Sequence, residues 1–158
     1  MGLVVAISFG TAKIVNKMIL NEAKLVGAER GCCVWVDHYF EGLGLMELGM
    51  FGGAIQKESY VSTITVCRAL KMFCDETSTG EVILVCAPPH YWRVRRDFRK
   101  LGIPFQPYKQ FLDTPHQQFY SRLSTHPQTW SPLRWWKREI PLLSLSYIWW
   151  GLYARITS

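Results

Sequence analysis

Leu3–Phe9 (LVVAISF) is apolar at six of its seven positions, shows no polar/apolar alternation, and is ended by Gly10. A strand with that pattern is buried on both faces, the situation of a parallel sheet covered by helices on both sides. Val82–Ala87 (VILVCA) has the same character, and Cys32–Val36 is a shorter run ending at Asp37-His38. Around these runs the hydrophobic period becomes helical. Thr11 can cap a helix to about Glu29, in which Ile14, Met18, Leu25 and Val26 form a stripe. Ser62 or Thr63 can cap a second helix, with Ile64, Val66, Ala69, Leu70 and Phe73 on its apolar side. Pro88-Pro89 reads as a break before a basic helix, Tyr91–Leu101, and Trp135–Tyr153 reads as a Trp-rich terminal helix that starts or kinks at Pro141.

This alternation predicts an α/β protein: a Rossmann-like three-layer sandwich with a mainly parallel central sheet flanked by helices, in a single domain over residues 1–158. Residues 41–58, with five glycines, read as a loop. Gly102-Ile103-Pro104 opens a short extended piece ending near Tyr108, and residues 111–134 read as a long surface loop with one helical turn.

Charge is unevenly distributed. Residues 1–89 carry 7 Lys/Arg against 9 Asp/Glu, whereas residues 90–158 carry 11 against 3. A basic half that starts at His90 suits an anionic ligand, nucleic acid or an acidic membrane surface. Arg95, Arg96 and Arg99 are expected along a solvated helix face. With 49% hydrophobic and 19% charged residues the chain is not disordered in character.

Five cysteines without a C-x-x-C pair and four scattered histidines offer no metal-ligand spacing, so no metal is expected and the thiols read as buried in a reducing compartment. No basic region precedes the apolar N-terminus, and a cytoplasmic protein is the expectation. Ile140–Tyr153 is fourteen residues long where a bilayer span takes about twenty. Its tryptophans, with Arg134, Lys137 and Arg138 close by, allow peripheral membrane contact. A nucleophile elbow, a P-loop and a GxGxxG fingerprint are all absent.

In a parallel sheet the strand ends share one edge, so Gly10, Asp37, His38 and His90 should gather at one crevice, joined by Ser62 and Thr65 from the next helix. Arg93, one turn into its helix, is placed to pair with an anionic group. His90 is the candidate catalytic residue, as a general acid or base.

The stretch VILVCAPPHYWRVRRDFRKLGI resembles the signature of the YdcF/SanA/ElyC family, a strand followed by His-x-x-Arg on a helix that closes with Phe-x-x-x-Gly. His90 and Arg93 fall on the polar positions, and Phe98 and Gly102 on the structural ones. Ser62, Thr65 and Ala69 match part of the family's Ser-x-Asn-Thr-x-Glu-Asn-Ala, with Ile64, Cys67 and Arg68 in place of Asn, Glu and Asn. Arg138-Glu139 is similar to the family's closing Arg/His-Glu segment. The first two strand ends depart from the family's glycine patterns. The resemblance implies a Rossmann-like fold and a ligand such as S-adenosylmethionine or a nucleotide, with Arg93, Ser62 and Thr65 on matching positions; Asp37, His38 and Gly10 join them as candidates from their place at the strand ends. Two other functions stay open: an enzyme using His90 on a phosphorylated or carboxylated substrate, and a basic module for nucleic acid or an anionic membrane.

Overall fold

The computed structural model of the chain describes residues 2–9, 13–37, 40, 62–120 and 129–156. Among these residues the strands are β1 (Leu3–Ile7), β2 (Cys33–Val36), β3 (Val82–Cys86) and β4 (Phe105–Pro107), all parallel in the order β2-β1-β3-β4. The helices are α1 (Lys13–Arg30), α2 (Thr63–Glu76), α3 (Pro88–Leu101), α4 (Lys109–Leu112), α5 (Pro132–Ile148) and α6 (Trp150–Ile156). The glycine-rich loop assigned to residues 41–58 lies outside the described residues, as does Thr11.

The uninterrupted apolar runs work as two-faced strands, and residue parity decides which face each side chain serves. Val4, Ala6, Val34, Val36 and Val85 share one core with Val15, Ile19, Ala23 and Val26 of α1. Leu3, Val5, Ile7, Trp35, Leu84 and Cys86 share the other with Val66 and Leu70 of α2 and Val94 and Phe98 of α3. Helices thus cover both faces, giving the three-layer α/β architecture. Each fully buried Leu, Ile or Phe side chain contributes about 1.5–3 kcal/mol, so both faces stabilise the fold. α1 approaches β2 closely because residue 27 is glycine. A Cβ there would stand 2.8 Å from Val34 Cγ2 and 3.1 Å from the Cys32 carbonyl oxygen.

The chain moves from β1 outward to β2 and then back past β1 to β3, so the strand order reverses between β1 and β3. Open α/β sheets have their crevice at such a reversal, outside the carboxyl ends of the strands. Here α5 lies over that edge. Trp135 of α5 packs on Phe9, with ring centroids 4.7 Å apart, and donates its indole N–H to the Pro89 carbonyl at 3.1 Å.

Three local expectations are corrected. Pro88 and Pro89 do not precede α3 but form its first turn, where a missing N–H costs nothing and the ring's fixed φ suits the helix. The terminal helix is two helices, because Trp149 (φ −144°, ψ 77°) leaves helical conformation; Pro141 stays inside α5. The segment assigned to a surface loop over 111–134 contributes Phe111 and Phe119 to the α1-side core, in contact with each other at 5.5 Å.

Candidate functional site

α3 presents three stripes to three environments. Val94 and Phe98 face the sheet. Arg93, Arg96 and Asp97 are buried and face the terminal helices, at the i, i+3, i+4 spacing of one helix side. Trp92, Arg95 and Arg99 look outward, Trp92 and Arg99 exposed and Arg95 half-buried. The expectation that Arg96 lines a solvated face is therefore corrected. Its Nε and Nη2 donate to Asp97 Oδ1 at 2.8 and 2.7 Å, its Nη1 to Ser146 Oγ at 2.9 Å, and it also bonds the Tyr153 hydroxyl. The guanidinium carbon lies 4.1 Å from the Tyr153 ring centroid. Burial pushes the Asp97 carboxyl above its ordinary pKa, against the pull of Arg96.

At the strand ends the structure links His90, Arg93 and Asp37, three of the residues expected there, through Ser8 and Thr63, and all three are buried; Ser62, also buried, is next to Thr63 at the start of α2. Gly10 and His38 lie outside the described residues. The polar contacts form an ordered chain. Arg93 Nη1 donates to Thr63 Oγ1 at 3.4 Å, and Thr63 Oγ1 is 2.9 Å from His90 Nε2. His90 Nδ1 is 3.1 Å from the Ser8 carbonyl oxygen. A carbonyl only accepts, so the proton sits on Nδ1 and Nε2 accepts from the Thr63 hydroxyl. The Ser8 N–H in turn donates to Asp37 Oδ2 at 2.9 Å. Ser8 thus ties the ends of β1, β2 and β3 together.

That environment holds His90 neutral. Burial, reinforced by the Arg93 charge, pushes its pKa down to about 3, against the smaller opposing effect of the Ser8 bond. A general base works best with a pKa near the operating pH. An imidazole engaged at both nitrogens and neutral across the physiological range is suited to holding three chain segments in register. Arg93 is engaged as well: Nε donates to Glu139 Oε2 at 2.9 Å, Nη2 pairs with Glu139 Oε1, and the guanidinium lies 5.3 Å from the Trp135 ring centroid.

Ser62 is the N-cap of α2. Its Oγ accepts from the Thr65 N–H at 3.3 Å and lies 3.0 Å from Thr65 Oγ1, so these two candidates mainly satisfy each other. The residues that complete the network escaped the sequence reading. Thr63 sits one position after the cap, where a hydroxyl carries no distinctive signal. Asn16, which accepts from the Phe9 N–H at 2.9 Å, lies on the buried side of α1. Glu139 had one signal, its place in the Arg138-Glu139 pair of the family resemblance.

Among the described residues no group of three His, Cys, Asp or Glu side chains could hold a metal ion. Burial raises the thiol pKa of Cys67, Cys74 and Cys86, which makes them poor nucleophiles. At the described strand ends the rings of Phe9, His90 and Trp135 pack on one another, with centroids 4.7–6.1 Å apart.

Open space with charge lies on the other side of α3. A groove of about 270 Å³ is lined by Trp92, Arg95, Arg96, Arg99, Lys100 and Tyr147. Arg95 stacks 5.2 Å over Trp92, Lys100 lies 5.9 Å from the Trp150 ring, and among the described residues no carboxylate lines the groove. A second hollow, lined by Tyr91, Arg95, Arg99, Ile103, Pro104, Phe105 and Pro107, continues it toward β4.

No protein-family model, curated protein or solved structure matches this chain.

Proposed function

We propose that this chain is a binding domain for anionic molecules and that its ligand sits in the groove on the outer side of α3. One observation carries the proposal: Arg95, Arg99 and Lys100 converge with Trp92 and Tyr147 on a 270 Å³ space that, among the described residues, no acidic side chain lines. The guanidinium forks suit the paired oxygens of a phosphate or carboxylate, and the two aromatic faces suit a flat or apolar neighbour of that group. The volume is at the lower end for ligand sites, which favours a phosphorylated fragment over a molecule the size of S-adenosylmethionine. His90 and Arg93 support this site indirectly, His90 by tying α3 to the end of β1 and Arg93 by tying α3 to α5.

Titration calorimetry with a nucleoside monophosphate, glycerol phosphate and S-adenosylmethionine tests the proposal. Arg95→Ala with Arg99→Ala should weaken binding of the phosphate esters by about tenfold or more, since each charged hydrogen bond contributes about 1.5–3 kcal/mol. Its melting temperature should be unchanged. Phosphate-ester binding indifferent to the double variant sinks the groove assignment. S-adenosylmethionine binding that survives the double variant would instead favour a site at the strand ends, the one the family resemblance implies.

A further inference from the structure

Where α5 ends, three successive large side chains stand in solvent: Tyr147 at 75% exposure, Ile148 at 84% and Trp149 at 65%. They form a corner, because the helix breaks at Trp149 and α6 restarts at Trp150. Leu133 and Ile140, also exposed, precede Tyr147 along the same side of α5 at seven-residue steps. Single exposed hydrophobes are ordinary, but three in succession at a fixed corner mark a contact surface. The corner is fixed from inside, by the Arg93–Glu139 pair and by the bonds of Arg96 to Ser146 and Tyr153.

Charge selects the partner. Tyr147 is also a wall of the α3 groove, so the apolar corner and the cations Arg95, Arg99 and Lys100 belong to one continuous surface. Arg134 and Lys137 add exposed positive charge along α5, and the sole acid over residues 132–156, Glu139, is buried. Nucleic acid would match the cations and leave Ile148 and Trp149 in water. An apolar protein face would match the corner and leave the cations without anions.

We infer that the α5–α6 corner docks on the surface of an anionic bilayer. Tyr147, Ile148 and Trp149 enter the boundary between headgroups and acyl chains, while Arg95, Arg99 and Lys100 take lipid phosphates. Among the described residues no helix is long and apolar enough to cross a membrane, so the contact is at the surface. The inference rests on the anion-binding reading of the groove and gives that groove a lipid headgroup as ligand.

The test is co-sedimentation of the full chain with vesicles of phosphatidylcholine, alone or with roughly one-third phosphatidylglycerol, in parallel with glycerol phosphate titration. Binding is expected to the mixed vesicles only, falling about tenfold or more from low to physiological salt. Ile148→Ser with Trp149→Ser should lower vesicle affinity by about tenfold or more and leave glycerol phosphate affinity unchanged. Arg95→Ala with Arg99→Ala should weaken both. If glycerol phosphate binds and the vesicles do not, the bilayer inference falls and the groove stands; if neither binds, both fall. Vesicle binding undiminished in the corner variant overturns the inference too. So does self-association that the corner variant abolishes without any vesicle binding, which would assign the corner to a second copy of the chain.

Discussion

Glu139→Ala is the most direct probe of how the terminal helices are held. Glu139 is 2% exposed and Arg93 6%, and two contacts join them, including the 2.9 Å bond from Nε to Oε2. Removing the carboxylate leaves a buried guanidinium without its counter-charge, a defect that costs about 3–5 kcal/mol. Thr63 and the Trp135 ring still contact Arg93, which places the expected loss at about 3 kcal/mol, the lower end of that range. For a domain of this size that is a melting point lower by about 6–12 °C. Arg93→Met combined with Glu139→Leu removes both charges and should come within about 1 kcal/mol of the parent, because a buried pair contributes little net stability over apolar packing. Urea unfolding followed by tryptophan fluorescence and circular dichroism gives all the corners of the cycle. A Glu139→Ala loss below about 1 kcal/mol, the range of solvent-exposed pairs, would refute the seating of α5 described above.

Two further outcomes follow from the strand-end network. Because the folded protein holds His90 at a pKa of about 3 and the unfolded chain leaves it near 6.5, the unfolded state binds the extra proton between those values. The stability due to neutral His90 is therefore complete above pH 6.5 and is lost progressively as pH falls toward about 3. The imidazole resonances of His90 should show no titration between pH 5 and 8, and an inflection near 6.5 would contradict the buried geometry. Ser62→Ala removes the α2 cap and should lower stability by about 0.5–2 kcal/mol in denaturant melts; an unchanged midpoint would argue against the cap.

The sequence carried the sheet clearly, because a strand buried on both faces must be apolar at consecutive positions, and little else in a chain of this composition reads that way. The Ser62 cap was legible for a similar reason: a hydroxyl just before an amphipathic period is a local signal. Pro88-Pro89 misled because the same two residues can break a helix or begin one, and only the packing of the preceding strand decides. The site was legible as a place and not as a set of partners. His90 and Arg93 could be singled out, but Glu139 lies 46 positions beyond Arg93, and Thr63 differs from Ser62 only in which way its hydroxyl faces. Arg96 shows the limit most plainly. Its spacing from Arg93 and Lys100 defines a helix side, yet nothing local says that Ser146 and Tyr153 will cover it.

The position of β1 also governs how the molecule must be built. Leu3 pairs with Cys33 on one side and Val82 on the other, so β1, which precedes both partners in sequence, is an inner strand of the sheet. During synthesis β1 is made before β3, so its second edge stays open until a partner 79 residues later has emerged. Long-range parallel pairing of this kind slows folding, since the intervening loop must close before any contact repays it. The open edge of an all-apolar strand is also a template for pairing with another chain. Until β3 arrives, that edge of β1 is open to such pairing.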